Sequence, residues 1–208
     1  MSGVTLDWWM VVPYVGLVLL ALGGLWMIVP GVHGTPGTPS RPYLIREALK
    51  LADLQPGETI YDLGAGDGRV VVLGAREFGA RGVGIEVEPL HCLVAWLRVL
   101  SGGVLGRVSI RPKNFFDADW GDADVIFLFL APALLPKLAP HLILKLRPGV
   151  RVISVHFPFE GWQPSAMDVG NLIFVYSMPP HPGSVDAFFR ASFGLAPRPS
   201  SQEPDIAA

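Results

Sequence analysis

The sequence predicts an α/β fold in which helices cover a mostly parallel sheet. Short apolar segments alternate with amphipathic ones from residue 59 to residue 156, a pattern typical of repeated strand–helix–strand units. Two of the apolar segments, 125–130 and 152–155, are almost continuously hydrophobic, as expected for strands covered on both faces. A third observation is the glycine-rich run 61–69, which links an apolar strand to a helical pattern and would bring backbone N–H groups towards a ligand.

The predicted elements follow one another with short connections. The first is a helix at 40–52, where Ser40 is a candidate N-cap and apolar residues recur at helical spacing. Strands are predicted at 59–63, 82–87, 108–112, 124–130 and 151–156, and the intervening helices at 69–78, 90–100 and 134–146. The last two segments, 172–177 and 187–193, are predicted to form a closing antiparallel pair that is connected by residues 179–183.

The glycine-rich run differs from both common phosphate-binding loops. A dinucleotide fingerprint needs a third glycine, but here Gly64 and Gly66 are followed by Arg69 at that position. A P-loop is excluded because no Gly-Lys-Ser/Thr follows the glycines. The carboxylates of Asp62 and Asp67 flank the turn, where they would repel a pyrophosphate and attract a cation. S-adenosylmethionine, which contains an ammonium and a sulfonium, fits this pattern.

A second acidic position supports a nucleoside-containing ligand. Glu86 is placed near the end of the next predicted strand, 20 residues after Gly66. In nucleotide-binding α/β units an acid at this position binds the ribose hydroxyls. The alternative is a glycine-rich turn that serves only the fold.

The N-terminal region predicts a membrane anchor. No charged residue occurs from Trp8 to Val32, and roughly 20 apolar residues are enough to span a bilayer core. Trp8 and Trp9 suit an interfacial aromatic anchor. We therefore predict an uncleaved anchor at 1–32 that contacts the lipid bilayer through residues 8–32.

Other interpretations of this segment are a cleaved signal peptide and a buried core helix. A signal peptide would begin with a basic region, whereas Asp7 is the only charged side chain before the apolar run. Basic residues follow the run at Arg41, Arg46 and Lys50, and none precedes it. The positive-inside rule then predicts a single-pass protein of the cell membrane whose large C-terminal domain faces the cytoplasm.

The composition of the rest of the chain indicates the domain limits and gives no sign of a nucleic-acid, disulfide or metal site. We predict a Gly/Pro/Thr linker at 33–40, one domain at 41–195 and a disordered tail at 196–208. The net charge of −2 gives no evidence of a basic face for nucleic acid. The single cysteine, Cys92, excludes an internal disulfide and falls in an apolar stretch. The five histidines show no metal-ligand spacing, so no metal is expected.

Several segments of the sequence, taken together, resemble those of a known protein class. They are Pro42-Tyr43, the runs 61–69 and 84–87, Asn114-Phe115, a proline after the fourth strand (Pro132), and the run 151–162. These segments resemble class I S-adenosylmethionine-dependent methyltransferases, whose fold is a seven-stranded Rossmann-like sheet. Within that class they resemble a small membrane-anchored family that includes the lysine methyltransferase of the ATP synthase c-subunit. The resemblance covers roughly residues 41–178.

The resemblance implies roles for individual residues. Asp62 and the backbone around Gly64 and Gly66 would hold the methionine end of S-adenosylmethionine, and Glu86 would hold the ribose hydroxyls. Asn114 would hydrogen-bond the adenine with Phe115 beside the ring, unless Asn114 is only a turn residue. The full predicted set for the cofactor is Asp62, Gly64, Ala65, Gly66, Asp67, Glu86, Asn114 and Phe115.

Methyl transfer from a sulfonium needs alignment and exclusion of water more than acid–base chemistry. A lysine acceptor must first lose its proton, which costs roughly 4–5 kcal/mol at pH 7 and is easier in an apolar, aromatic channel. Trp162, Phe157 and Phe159 are candidates to line that channel, together with Pro132 and His156. The alternative for the three aromatic residues is core packing.

His156 has a second interpretation as a residue at a strand end that reaches a neighbouring backbone group. The fourth strand lacks an Asn-Pro-Pro motif at its end, which disfavours methylation of DNA adenine. The leading hypothesis is therefore a membrane-tethered methyltransferase that acts on an accessible lysine of a membrane protein. The alternatives are methylation of a lipid amine or small hydrophobic molecule, and an S-adenosylmethionine-binding scaffold without catalysis.

Overall fold

A computed structural model describes residues 11–18, 20 and 41–194. The chain divides into two units, residues 1–37 and 38–208. Residues 11–18 and 20 of the first unit are helical, and no helix within the described residues is long and apolar enough to cross a membrane. The rest of the predicted anchor, the linker 33–40 and the tail 196–208 lie outside the described residues.

The second unit contains a seven-stranded sheet with the order β3-β2-β1-β4-β5-β8-β7. Its first five strands are parallel, and β8 runs antiparallel to both β5 and β7. Two short strands, β6 and β9, pair separately. The strands are β1 (Thr59–Leu63), β2 (Arg81–Glu86), β3 (Val108–Pro112), β4 (Val125–Leu128), β5 (Arg151–Val155), β6 (Trp162–Gln163), β7 (Ala166–Asp168), β8 (Ile173–Ser177) and β9 (His181–Pro182). The predicted seven-stranded α/β sheet is confirmed.

Helices cover both faces of the sheet. They are α1 (Pro42–Leu51), α2 (Arg69–Glu77), α3 (Pro89–Ser101), a 3-10 turn (Pro132–Leu134), α4 (Leu135–Lys145) and α5 (Val185–Ser192). Alternate strand residues divide the core, because successive side chains point to opposite faces. Ile60 and Phe127 pack with residues of α1 and α2, whereas Tyr61 and Ile126 pack with α4. A third apolar cluster joins α2, α3 and β3.

Two glycines of β2 let α2 lie close to the sheet. A Cβ atom at Gly82 would be 2.7 Å from the Cβ of Val71, and one at Gly84 would be 2.9 Å from the Cβ of Ala65. The helix and the loop that precedes it are therefore held tightly against the central strands.

The strand order reverses at β1. From β1 the chain moves outwards through β2 and β3, and then returns to β4 on the other side of β1. In open α/β sheets, ligands bind in the crevice at such a switch point, outside the carboxyl ends of the strands. Asp62 pairs with Gly84 on one side and Phe127 on the other, so it lies at the centre of this edge.

The C-terminal segment differs from the prediction. Residues 187–193 were expected to be a strand, but they fall mainly in α5 (Val185–Ser192), so this prediction is wrong. The Oγ of Ser184 accepts a hydrogen bond from the N–H of Ala187 at 3.1 Å, and Asp186 occupies the first turn. An N-cap serine and an early acid both favour a helix. The closing antiparallel pair is formed instead by β8 and the preceding strand β7.

The ends of several helices and strands differ by a few residues from the prediction. The N-cap of α1 is Arg41 rather than Ser40, since Pro42 occupies the first helical turn, where its missing N–H costs nothing. The predicted connection 179–183 contains the short strand β9. Leu172 precedes β8 in a left-handed conformation, with φ of 52°.

Candidate cofactor and acceptor site

The loop after β1 is a left-handed glycine turn tied to β2. Gly64, Gly66 and Gly68 have φ values of 90°, 52° and 74°, which L-residues with side chains rarely adopt. The N–H groups of Gly64 and Ala65 both donate to the carbonyl oxygen of Ile85, at 2.9 and 3.0 Å. A Cβ at Gly66 would meet no atom within 4 Å. Open space therefore lies directly against the backbone of the turn.

Glu86 holds this loop from the end of β2. Its Oε2 accepts a hydrogen bond from the N–H of Gly66 at 2.7 Å. Its Oε1 accepts from the N–H groups of Val87 at 2.8 Å and Glu88 at 2.9 Å. Only 7% of Glu86 is exposed. The carboxylate is thus stabilised by three backbone donors, which also fix its position beside the glycine turn.

Asp62 is the other buried carboxyl group of the site, with 3% of its surface exposed. No donor hydrogen-bonds its carboxyl oxygens within the part of the chain that the structure describes. Burial, together with the negative charges of Glu86 and Asp67, raises the pKa of Asp62 well above its ordinary value. A cationic group placed next to Asp62 would remove this electrostatic penalty.

Among the described residues, Asp67, unlike Asp62, forms ion pairs with arginines. Its Oδ2 lies 2.5 Å from Nη2 of Arg69 and 2.9 Å from Nη2 of Arg98. Burial acts to raise the pKa of Asp67, but the hydrogen bonds of Arg69 and the charges of both arginines outweigh burial and hold that pKa below its ordinary value. Of the two acids predicted to attract a cation, only Asp62 is left uncompensated by protein groups.

Asn114 and Phe115 lie in the loop that follows β3. The N–H of Lys113 donates to the carbonyl oxygen of Glu86 at 3.0 Å, which places this loop at the same edge of the sheet. Asn114 is exposed, and its Oδ1 accepts from the N–H of Phe116 at 3.1 Å. The half-buried Phe115 uses its carbonyl oxygen to accept from Nε1 of Trp120 at 2.8 Å. The side chain of Asn114 therefore stabilises its own turn in this structure.

Two of the aromatic acceptor-channel candidates pack in the core. Phe159 stacks on Trp162 with ring centroids 4.5 Å apart, and both rings contact Tyr176 edge-on at 5.5 and 5.7 Å. The N–H of Phe159 also donates to the Oη of Tyr176 at 2.9 Å. Phe159 and Trp162 are buried, as the core alternative expects, and Phe159 also lines the apolar cavity beside α4.

Phe157 and Pro132 line an apolar cavity of about 880 Å³. They follow the carboxyl ends of β5 and β4, respectively, and the cavity continues along α4. Sequence reasoning missed the residue that positions this loop. Ser154, the one polar residue in β5 after Arg151, is buried, and its Oγ donates to the carbonyl oxygen of Phe157 at 2.6 Å. A lone serine in an otherwise apolar strand was the available signal.

His156 ends β5 in a left-handed conformation with φ of 71°. Its backbone N–H donates to the carbonyl oxygen of Leu172 at 2.7 Å. The exposed imidazole contacts the ring of Phe129 edge-on, with centroids 5.0 Å apart. His156 thus lies at a strand end and reaches a neighbouring backbone group through its own main chain.

Comparison with known proteins identifies the family. The model of the ANTKMT methyltransferase domain matches residues 62–166, from Asp62 through the strands that surround the glycine turn. The chain belongs to the ANTKMT methyltransferase domain family. One relative, a protein-lysine N-methyltransferase of Saccharolobus islandicus, is 33% identical over 72% of this chain and 98% of its own length.

Three other known proteins are also similar to this chain. The adenine nucleotide translocase lysine N-methyltransferase of Mus musculus is 32% identical over 71% of the chain and 68% of that protein. The mouse lysine N-methyltransferase of the ATP synthase c-subunit is 29% identical over 62% of the chain and 51% of that protein. An RNA methyltransferase of Salinibacter ruber, solved with S-adenosyl-L-homocysteine, is 37% identical with a TM-score of 0.67, over 68% of this chain and 94% of that one.

The ANTKMT-family chain is therefore an S-adenosylmethionine-dependent methyltransferase. Its residues fit that cofactor, which supplies an activated methyl group on a sulfonium. The uncompensated carboxyl of Asp62 suits a cationic group, the anchored carboxylate of Glu86 suits hydroxyl donors, and Gly66 leaves room against the backbone. These groups bind and orient, which is the main demand of methyl transfer.

Proposed function

We propose that this methyltransferase is tethered to the cell membrane by residues 8–32 and methylates a lysine of a membrane protein. The observation that carries the proposal is the absence of charged residues from Trp8 to Val32, directly before a methyltransferase domain. A tether of this kind raises the effective concentration of an enzyme at substrates in the same membrane. The basic residues after residue 40 favour a domain on the cytoplasmic side, where S-adenosylmethionine is made.

The relatives support the lysine and membrane-protein parts of the proposal. The Saccharolobus islandicus protein and the two mouse proteins described above are all named as lysine N-methyltransferases. Two of them are named for the adenine nucleotide translocase and the c-subunit of ATP synthase, which are membrane-associated proteins. A lysine of a membrane protein would then lie in the same membrane that anchors the methyltransferase domain.

The surroundings of the acceptor position also suit an amine. Pro132 and Phe157 place apolar surface beside the carboxyl ends of β4 and β5. A lysine that enters such surroundings is easier to deprotonate, because burial disfavours the charged ammonium. The neutral amine that results is the form that attacks a methyl group.

The apolar cavity also favours a second candidate, methylation of a lipid amine or small hydrophobic molecule. Its volume of about 880 Å³ is within the range of small-molecule sites. The similarity to a structure named as an RNA methyltransferase makes RNA a further acceptor class to include in any test.

The acceptor class can be tested with the full-length chain and radiolabelled S-adenosylmethionine. The enzyme is incubated with membranes and RNA from its own source, and the label is then measured separately in protein, lipid and RNA. We expect label in membrane protein that is released as methyl-lysine on acid hydrolysis, and no label with an Asp62→Asn variant. Label confined to lipid or to RNA would refute the protein-lysine assignment.

A further inference from the structure

Helix α3 exposes an apolar outer face. Its inner residues, Cys92, Ala95 and Val99, are buried against α2 and β3. Its outer residues are also apolar and are between 40% and 58% exposed. These residues, here called the α3 apolar face, are Leu90, Leu93, Val94, Trp96, Leu97 and Leu100. A surface helix ordinarily presents polar residues on the side opposite the core, so α3 departs from the usual pattern.

The α3 apolar face extends beyond the helix at both ends. Val87 and Leu105, just before and just after α3, are exposed by 52% and 56%. Apolar side chains at three- and four-residue spacing share one side of a helix, and a 13-residue helix is about 20 Å long. A contiguous exposed patch of this kind marks an interaction surface.

The charge around α3 identifies the kind of partner. The stretch 89–116 contains none of the 18 acidic residues of the chain and four of its 16 lysines and arginines. Arg98 is paired with Asp67, whereas Arg107 and Lys113 make no salt bridge with any carboxylate among the described residues. They flank β3, the edge strand that α3 covers. Apolar side chains beside basic ones are complementary to a bilayer with anionic headgroups.

The length of the linker restricts where a bilayer would be. Residues 33–40 can span at most about 28 Å when fully extended. If residues 8–32 are an anchor, the domain is therefore held close to the membrane surface, and one of its faces lies nearest to it. The α3 apolar face has the composition that a lipid interface favours, including a tryptophan, which is enriched at that depth.

We infer that the α3 apolar face lies on the membrane interface and orients the methyltransferase domain there. This inference rests on the anchor part of the proposed function. It also has a consequence for the reaction, because α3 begins at Pro89, three residues after Glu86. The cofactor-binding edge of the sheet would then lie at one end of the membrane-contacting helix, at the level of a lysine near the headgroups.

The contact can be tested on the full-length chain with an environment-sensitive fluorophore at single cysteines. Leu97→Cys, in a Cys92→Ala background, places the fluorophore on the α3 apolar face. Lys137→Cys is the control, since Lys137 is exposed on α4, which packs on the opposite face of the sheet, and does not line the apolar cavity. Both proteins are reconstituted in vesicles of phosphatidylcholine and phosphatidylglycerol, with and without bromine on the acyl chains.

We expect a blue shift and quenching by brominated lipid at position 97, and neither at position 137. A chain that floats with the vesicles while both fluorophores report water would overturn the inference and leave the anchor intact. Failure to float would overturn both. A blue shift that needs no vesicles and grows with protein concentration would show a second copy on this face, and would also overturn the inference.

A substitution test separates orientation from cofactor binding. Leu93→Glu/Leu97→Glu should lower methylation of vesicle-embedded substrate about tenfold, because two apolar contacts with lipid are lost. Its affinity for S-adenosylmethionine in detergent should remain unchanged. Lys137→Glu, which changes the net charge by the same amount as the double variant, should change neither quantity. Equal methylation by the double variant and the wild type would contradict a membrane-orienting role for α3.

Discussion

Asp62 and Glu86 are two buried carboxyl groups at the ends of adjacent parallel strands, and the protein stabilises only one of them. Glu86 accepts hydrogen bonds from three backbone N–H groups. Asp62 is equally buried, and the structure shows no donor to it among residues 41–194. The pair therefore separates two roles at one edge of the sheet. Glu86 maintains the loop, whereas burial and the neighbouring carboxylates disfavour the charged form of Asp62 until a cation arrives.

Replacing Asp62 should reveal this cost. We expect Asp62→Asn to stabilise the cofactor-free protein by about 1–2 kcal/mol, or roughly 3–6 °C in Tm, because a neutral amide replaces a buried uncompensated charge. The same change should weaken S-adenosylmethionine binding about tenfold to a hundredfold. Differential scanning fluorimetry and calorimetric titration measure the two effects. Asp117→Asn, at an exposed position after β3, should change neither.

The pH dependence of the Asp62 effect follows from the direction of its shift. Since the folded protein raises the pKa of Asp62, the folded state binds this proton more tightly than the unfolded chain does. The penalty is absent below the ordinary pKa and develops as pH rises through the raised pKa. The stability difference between Asp62→Asn and the wild type should therefore disappear in acid. A constant difference across that range would contradict the role of the Asp62 charge.

Substitution of Glu86 should lower the stability of the protein, in contrast to substitution of Asp62. Glu86→Gln removes the charge that three backbone donors stabilise, and we expect a loss of about 1–3 kcal/mol in the free energy of unfolding. Cofactor affinity should also fall, because the Gly66 turn loses its attachment to β2. Urea unfolding followed by circular dichroism measures the first quantity. Stabilisation by Glu86→Gln, as expected for Asp62→Asn, would show that the two carboxyl groups are equivalent.

Asp67 provides a third comparison, because its charge is compensated by arginines. Asp67→Asn should cost about 1 kcal/mol of stability at neutral pH and change cofactor affinity only severalfold, since its side chain is 20% exposed and ion-paired. The lowered pKa of Asp67 means that its contribution is present above its ordinary pKa and is lost as pH falls through the lowered one. Denaturant midpoints of both proteins, measured from neutral pH into acid, should converge.

The central strands could be predicted because their sequences permit little else. Segments such as 125–128 and 152–155 are continuously or nearly continuously apolar and bounded by polar or glycine-containing turns, so both faces had to be covered. The order of glycines and acids in 61–69 similarly limited the kinds of ligand that the loop could bind. Residues 187–193 were misassigned because a Phe-rich stretch suits a strand, while the deciding hydrogen bond comes from Ser184, outside that stretch.

The partners of charged side chains could not be predicted from spacing alone. Asp62 and Asp67 are equivalent in the sequence as acids that flank a glycine turn. Arg98 reaches Asp67 from α3, a contact that depends on how two helices pack. The same limitation applied to Trp162, whose neighbours Phe159 and Tyr176 come together only through the packing of the β5–β6 connection against β8.

The two tryptophans Trp162 and Trp96 allow a test of core against surface. Trp162 is 8% exposed and stacked on Phe159, so Trp162→Ala should destabilise the protein by about 3–5 kcal/mol. Trp96 is 43% exposed, so Trp96→Ala should change the stability of the detergent-solubilised protein by less than about 1 kcal/mol. Thermal unfolding compares them directly. If Trp162→Phe kept stability but lowered kcat sharply, Trp162 would belong to the acceptor channel rather than the core.

Gly66 can be tested against a glycine with the same backbone restriction elsewhere. Gly66 and Gly57 both have positive φ, and a Cβ at either would meet no atom within 4 Å. Each alanine substitution should therefore cost about 1–2 kcal/mol through backbone strain alone. Only Gly66→Ala projects a methyl group from the turn that Glu86 holds, so only it should weaken cofactor binding, by about tenfold or more. Equal affinities of the two variants for S-adenosylmethionine would place the cofactor away from this turn.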